Sequence, residues 1–139
     1  MQSEGNSGRN KRGRTILLVD DDEDFLELQR MRLEADGFEV LAAVGEKQAE
    51  ELLAKRQPDL AVLDLMMEQM DAGFVLSYRI KKQHPMMPVI LVTGVTSETG
   101  IEFDATTHEE RSWMKVDAVL TKPVRYEQLR GEIDRLLKG

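Results

Sequence analysis

The sequence predicts an α/β fold, a doubly wound parallel sheet of five strands with five helices. Three observations predict it. Short apolar runs alternate with longer amphipathic segments through almost the whole chain. Three of those runs are nearly continuous in Ile, Leu and Val, as strands buried on both faces of a parallel sheet require. The chain has 139 residues and is 41% hydrophobic, enough for one domain with a real core.

Residues 1–13 are rich in Gly, Ser and Asn and lack apolar periodicity, so a disordered basic leader is expected there, with one folded domain over 14–139. The first strand is Thr15–Val19. Phe25, Leu28, Met31 and Ala35 then recur at three- and four-residue steps and predict a helix, with Gly37 as its C-terminal stop. Glu39–Ala43 is a weaker apolar run, as an outer strand is. Ala49, Leu52 and Leu53 mark a second helix that ends before Pro58. The run 60–63 is the third strand. Phe74, Val75, Tyr78 and Ile80 predict a third helix, closed by His84-Pro85. The run 89–92 is the fourth strand, a loose helical pattern covers 97–115, and 118–120 is the fifth strand. Leu129, Ile133, Leu136 and Leu137 form the stripe of a last helix after Pro123.

Ligands of such sheets bind outside the carboxyl ends of the strands. The first strand ends in Asp20-Asp21-Asp22, the third at Asp64, the fourth at Thr93-Gly94 and the fifth at Thr121-Lys122-Pro123. One edge of the sheet therefore gathers carboxylates, a hydroxyl and an ammonium. Clustered carboxylates repel and raise one another's pKa. A hard divalent ion such as Mg²⁺ relieves this, and it favours one or two carboxylates together with a phosphate oxygen. A carboxylate also serves as a nucleophile toward phosphorus. Each residue alone has a plainer explanation. Asp22 and Asp24 suit a helix N-terminus, Asp64 a turn, Thr93 a strand end. Their joint occurrence at four strand ends is what points to chemistry.

These segments resemble the receiver domain family of two-component response regulators. The resemblance runs over about residues 14–138 and is carried by Ile16-Leu17-Leu18-Val19-Asp20-Asp21-Asp22, Pro58-Asp59-Leu60-Ala61-Val62-Leu63-Asp64, Met70-Asp71-Ala72-Gly73-Phe74, Pro88-Val89-Ile90-Leu91-Val92-Thr93-Gly94 and Asp117-Ala118-Val119-Leu120-Thr121-Lys122-Pro123. It implies a flavodoxin-like sheet in the order 2-1-3-4-5. It implies that Asp64 accepts a phosphoryl group from a histidine kinase or phosphotransfer protein. Mg²⁺ would be held by Asp20, Asp21, Asp64 and the backbone carbonyl of Met66. Thr93 and Lys122 would contact phosphoryl oxygens, Gly94 would keep room for them, and Lys122–Pro123 would be a cis candidate. Phosphorylation would bias the surface of the fourth helix, fifth strand and fifth helix toward an unnamed downstream protein, with dimerisation as one outcome. The same resemblance implies a cytoplasmic signalling domain with self-catalysed transfer and slow self-hydrolysis rather than a conventional enzyme.

Several positions depart from the family pattern. Val119 stands where an aromatic switch residue is usual. Glu68 replaces a proline, Ala72 is an insertion, and the segment between Thr93 and Lys122 is longer than usual. Trp113 and Met114 in it are read as core, and Tyr126 is read as core or helix surface rather than as the missing switch. His84 and His108 have no metal-ligand partners at helical spacing and take no role.

Two other functions compete. One is a phosphorylation-independent interaction domain of the same fold, motivated by Val119, Glu68 and the altered fourth-helix region. The other is an aspartate-nucleophile phosphohydrolase, which would want a hydroxyl that residues 20–24 lack. The remaining composition narrows partners. There is no cysteine, hence no disulfide or thiolate metal site. No apolar run approaches a membrane span, and no signal-like segment opens the chain. Net charge is −7, although residues 1–14 are basic, so the acidic body is not expected to bind nucleic acid directly.

Overall fold

A computed structural model describes residues 13–64, 72–94 and 116–137. In chain order these form β1 (Thr15–Val19), α1 (Glu23–Ala35), β2 (Glu39–Ala43), α2 (Glu46–Lys55), β3 (Leu60–Asp64), α3 (Ala72–Gln83), β4 (Val89–Thr93), β5 (Ala118–Thr121) and α4 (Tyr126–Leu136). The leader, the expected helix over 97–115, Glu68, Met66, Trp113 and Met114 lie outside the described residues, so α4 is the helix expected as the fifth.

All neighbouring strands are parallel, in the order β2-β1-β3-β4-β5. The predicted sheet order is therefore the observed one. Every residue of β1, β3 and β4 is buried, which explains their unbroken apolar sequences. Side chains alternate faces along a strand, and the core divides accordingly. Leu17, Val19, Ala61, Leu63, Val89 and Leu91 pack with Ala49 of α2 and Leu76 and Ile80 of α3. Ile16, Leu18, Leu60, Val62, Ile90 and Val92 pack on the other face with Leu26 and Leu33 of α1 and Leu129 and Ile133 of α4. Each fully buried Leu or Ile contributes roughly 1.5–3 kcal/mol of transfer free energy.

The structure corrects one sequence expectation. The buried stripe of α1 is Leu26, Gln29 and Leu33, whereas Leu28 and Met31 are exposed. Apolar residues lie on both sides of this helix, and the 26–29–33 set is the one that faces the sheet. Tyr78 of α3 is likewise exposed.

Local signals fix the ends of α1. Asp22 is its N-cap and accepts hydrogen bonds from the amides of Asp24 and Phe25 at 3.1 and 3.2 Å, which satisfies two otherwise orphaned donors. Gly37, just past the C-cap, has φ +100°, a conformation costly for any residue with a Cβ. At the opposite edge of the sheet from the candidate site, two aspartates clasp neighbouring strands. The Asp59 carboxylate accepts from Thr15 N–H at 2.7 Å while Asp59 N–H donates to the Thr15 carbonyl. Asp117 does the same for Val89, at 2.8 Å in both directions, and also pairs with Lys81. The clasps set the start of β1 against β3 and of β4 against β5.

Candidate acidic pocket at the carboxyl ends of the strands

Strand parity places the candidate residues. In β1, β3 and β5 the side chains of positions 16 and 18, 60 and 62, and 118 and 120 face α1 and α4. Continuing that alternation puts Asp20, Asp64 and Lys122 on the same side, at one end of adjacent strands. Asp64 is the last residue of β3 and pairs in register with Val92. Thr93 ends β4 on the opposite parity.

The geometry brings the acidic residues together. One carboxylate oxygen from each of Asp20, Asp21 and Asp64 lies within 4.8 Å of the other two. Asp20 and Asp64 are buried and Asp21 is exposed at the rim. Asp20 Oδ1 accepts from Asp22 N–H at 2.9 Å. Among the described residues no aligned hydrogen-bond donor reaches the buried Asp20 Oδ2, although Lys122 Nζ stands 3.1 Å away as an ion pair. Lys122 Nζ is also 3.7 Å from Asp64 Oδ2. Its ammonium therefore bridges two of the three carboxylates.

Burial alone would lower the Lys122 pKa, but the bond to Asp20 and the charges of Asp20, Asp64 and Asp22 outweigh it and hold the ammonium above the usual lysine value. The Lys122 amide donates to the Thr93 carbonyl at 2.7 Å, linking the ends of β4 and β5. The Lys122–Pro123 peptide is cis, as the resemblance implied. A Cβ built on Gly94 meets no atom of the described residues within 4 Å.

The donor set fits a hard divalent cation. Among the described residues it consists of oxygens only, three carboxylates converge, and no aligned donor reaches the buried Asp20 Oδ2. Of the residues singled out from sequence, Asp20, Asp21, Asp64 and Lys122 meet in one pocket, Thr93 stands on the adjoining strand end, and Met66 lies outside the described residues. Sequence reasoning missed Phe25, whose ring lies 5.1 Å from Lys122 Nζ. The Asp22 cap places Phe25 in the first turn of a helix starting at this strand end, but nothing local in the sequence ties it to Lys122. Tyr126 takes the structural place expected of it: it packs beside the α1–α4 core and donates to Asp36. Val119 packs with the cluster that contains Leu91 and Val116.

Comparison with known proteins agrees with this architecture. Residues 16–134 match the family model of the response regulator receiver domain. The transcriptional regulatory protein GlrR of Escherichia coli (strain K12) is 36% identical over 123 residues, covering 88% of this chain and 26% of that protein. The alkaline phosphatase synthesis transcriptional regulatory protein PhoP of Bacillus subtilis is 28% identical over 123 residues, covering 88% of this chain and 48% of that protein. The chain thus spans between a quarter and a half of these relatives. Among solved structures, a CheY-like receiver domain protein from Methanospirillum hungatei superposes with a TM-score of 0.77 at 27% identity, covering 90% of this chain and 94% of that one. The chain belongs to the response regulator receiver family, and its fold is that of the receiver domain of two-component systems.

Proposed function

We propose that this receiver takes a phosphoryl group on Asp64 from a histidine kinase or phosphotransfer protein, with Mg²⁺ held by Asp20, Asp21, Asp64 and the Met66 backbone carbonyl. The observation that carries the reading is the convergence of the three carboxylates with Lys122 Nζ at ion-pair distance from two of them.

In this scheme a carboxylate oxygen of Asp64 attacks phosphorus as the donor's P–N bond breaks, and the imidazole leaves with the bonding electron pair. The bound cation supplies charge neutralisation of the carboxylates and of the transferring oxygens. Lys122 stabilises negative charge on the phosphoryl group from a fixed position, without the reorganisation water would need. The Thr93 hydroxyl donates to another phosphoryl oxygen, and Gly94, without a side chain, leaves room for the group. Phosphorylation adds charge and strong acceptors at Asp64. Lys122 Nζ then shifts from Asp20 toward the new oxygens, and the hydrogen bond that the Lys122 backbone N–H donates to the Thr93 carbonyl couples β5 to β4. The output surface is that of the 97–115 segment, β5 and α4, offered to a downstream protein or to a second copy of the chain. No helix among the described residues is long and apolar enough to cross a membrane.

One observation favours a second reading, a phosphorylation-independent interaction domain. Val119 is partly buried, packs against the core cluster and has no ring to swing. The complete acidic set and the placed lysine weigh more heavily for phosphorylation. Beryllofluoride with Mg²⁺ separates the two. Amide spectra and solution size should change for the native chain and stay fixed for Asp64→Asn. An unresponsive native chain leaves the interaction domain as the surviving reading.

A further inference from the structure

We propose that Phe25 is a positioning residue for Lys122, its ring face holding the ammonium at the phosphorylation pocket by a contact that neither a metal ion nor a phosphoryl group competes for. This rests on the phosphorylation reading above. Lys122 Nζ has three attachments among the described residues: Asp20 at 3.1 Å, Asp64 at 3.7 Å and the centroid of the Phe25 ring at 5.1 Å. The first two are carboxylates of the candidate metal set. A divalent cation that engages those oxygens weakens their hold on the ammonium and repels it. The quadrupole of the ring is untouched by that exchange and still attracts a cation within about 6 Å.

The ring is placed by the chain's own local structure. The Asp22 side chain caps α1 by accepting from the amides of Asp24 and Phe25, which fixes Phe25 in the first helical turn beside the end of β1. The residue is half-buried. It lies next to, rather than within, the buried stripe of Leu26, Gln29 and Leu33. The Lys122 ammonium stands over its ring.

The test uses the full chain as native protein, Phe25→Leu and Phe25→Tyr. Leucine keeps apolar bulk and removes the quadrupole; tyrosine keeps the ring. The first readout is the proton spectrum of the Lys122 ε-methylene, which a ring face shifts upfield. The shift should be present in native protein and Phe25→Tyr, persist when Mg²⁺ is added, and vanish in Phe25→Leu. The second is the rate of phosphorylation by acetyl phosphate at saturating Mg²⁺. Phe25→Leu should be slower by about two- to fivefold, the cation–π scale for a partly exposed pair expressed as a rate ratio, and Phe25→Tyr should restore the native rate. Equal rates for native protein and Phe25→Leu overturn the role alone, as does loss of the native upfield shift on adding Mg²⁺. A native chain that takes no phosphoryl group overturns the functional reading and this role with it.

Discussion

Gln29 offers a direct measure of how strictly the core between α1 and the sheet follows hydrogen-bond bookkeeping. It is 2% exposed, sits in the buried stripe of α1 between Leu26 and Leu33, and its Oε1 has no hydrogen-bond donor among the described residues. A buried acceptor left unpaired costs about 1–3 kcal/mol relative to water. Gln29→Met removes that acceptor while keeping an unbranched side chain of similar length, so little cavity or overpacking cost opposes the gain. The substitution should stabilise the domain by about 1–2 kcal/mol. For a domain of this size that is about 3–8 °C in Tm. Urea unfolding is the assay, read as a rise in midpoint at unchanged slope. A midpoint lowered by an amount worth more than about 1 kcal/mol would refute the reasoning, because it would mean that the amide makes a favourable interaction in the folded protein.

Other perturbations test other parts of the fold. The Tyr126 phenol is pushed up to about 12, first by burial and then by the bond it donates to Asp36, with Arg130 opposing. A raised folded-state pKa means that the proton is held more tightly in the folded protein, so this contribution is fully present below about pH 10 and is lost between pH 10 and about 12. Tyr126→Phe should flatten that alkaline decline in thermal melts and remove the late phenolate absorbance step. Asp117→Ala takes the acceptor from the buried Val89 N–H and a partner from Lys81. It should cost about 1–2 kcal/mol and speed hydrogen exchange at Val89 more than at residues of β1. Mg²⁺ should raise the melting temperature of the native chain by mass action, and Asp20→Ala, Asp21→Ala and Asp64→Ala should each reduce that increment.

The fold was legible because three strands are buried on both faces and so carry unbroken apolar runs, and because Gly37 and Pro58 mark element ends. The pocket was legible for a related reason. Parallel topology sends the residue after each strand to the same edge, so a list of strand ends was already a list of neighbours. The inner face of α1 was less legible. Leu28 and Met31 are as apolar as Leu26 and Leu33, and only the sheet decides which pair is covered; the covered set even includes the polar Gln29. Phe25 was read by periodicity as one more core residue, and its relation to Lys122 joins positions nearly a hundred residues apart that no local pattern connects. The clasps made by Asp59 and Asp117 were likewise invisible, since an aspartate before a strand reads as an ordinary loop residue until its partner strand is placed.

The most direct measurement is mass mapping of the phosphoryl group after incubation with acetyl phosphate and Mg²⁺. A gain of one phosphoryl on the peptide that contains Asp64, abolished by a chelator and absent in Asp64→Asn, is the predicted result. Label on another residue, or equal uptake by Asp64→Asn, would contradict the assignment of the pocket.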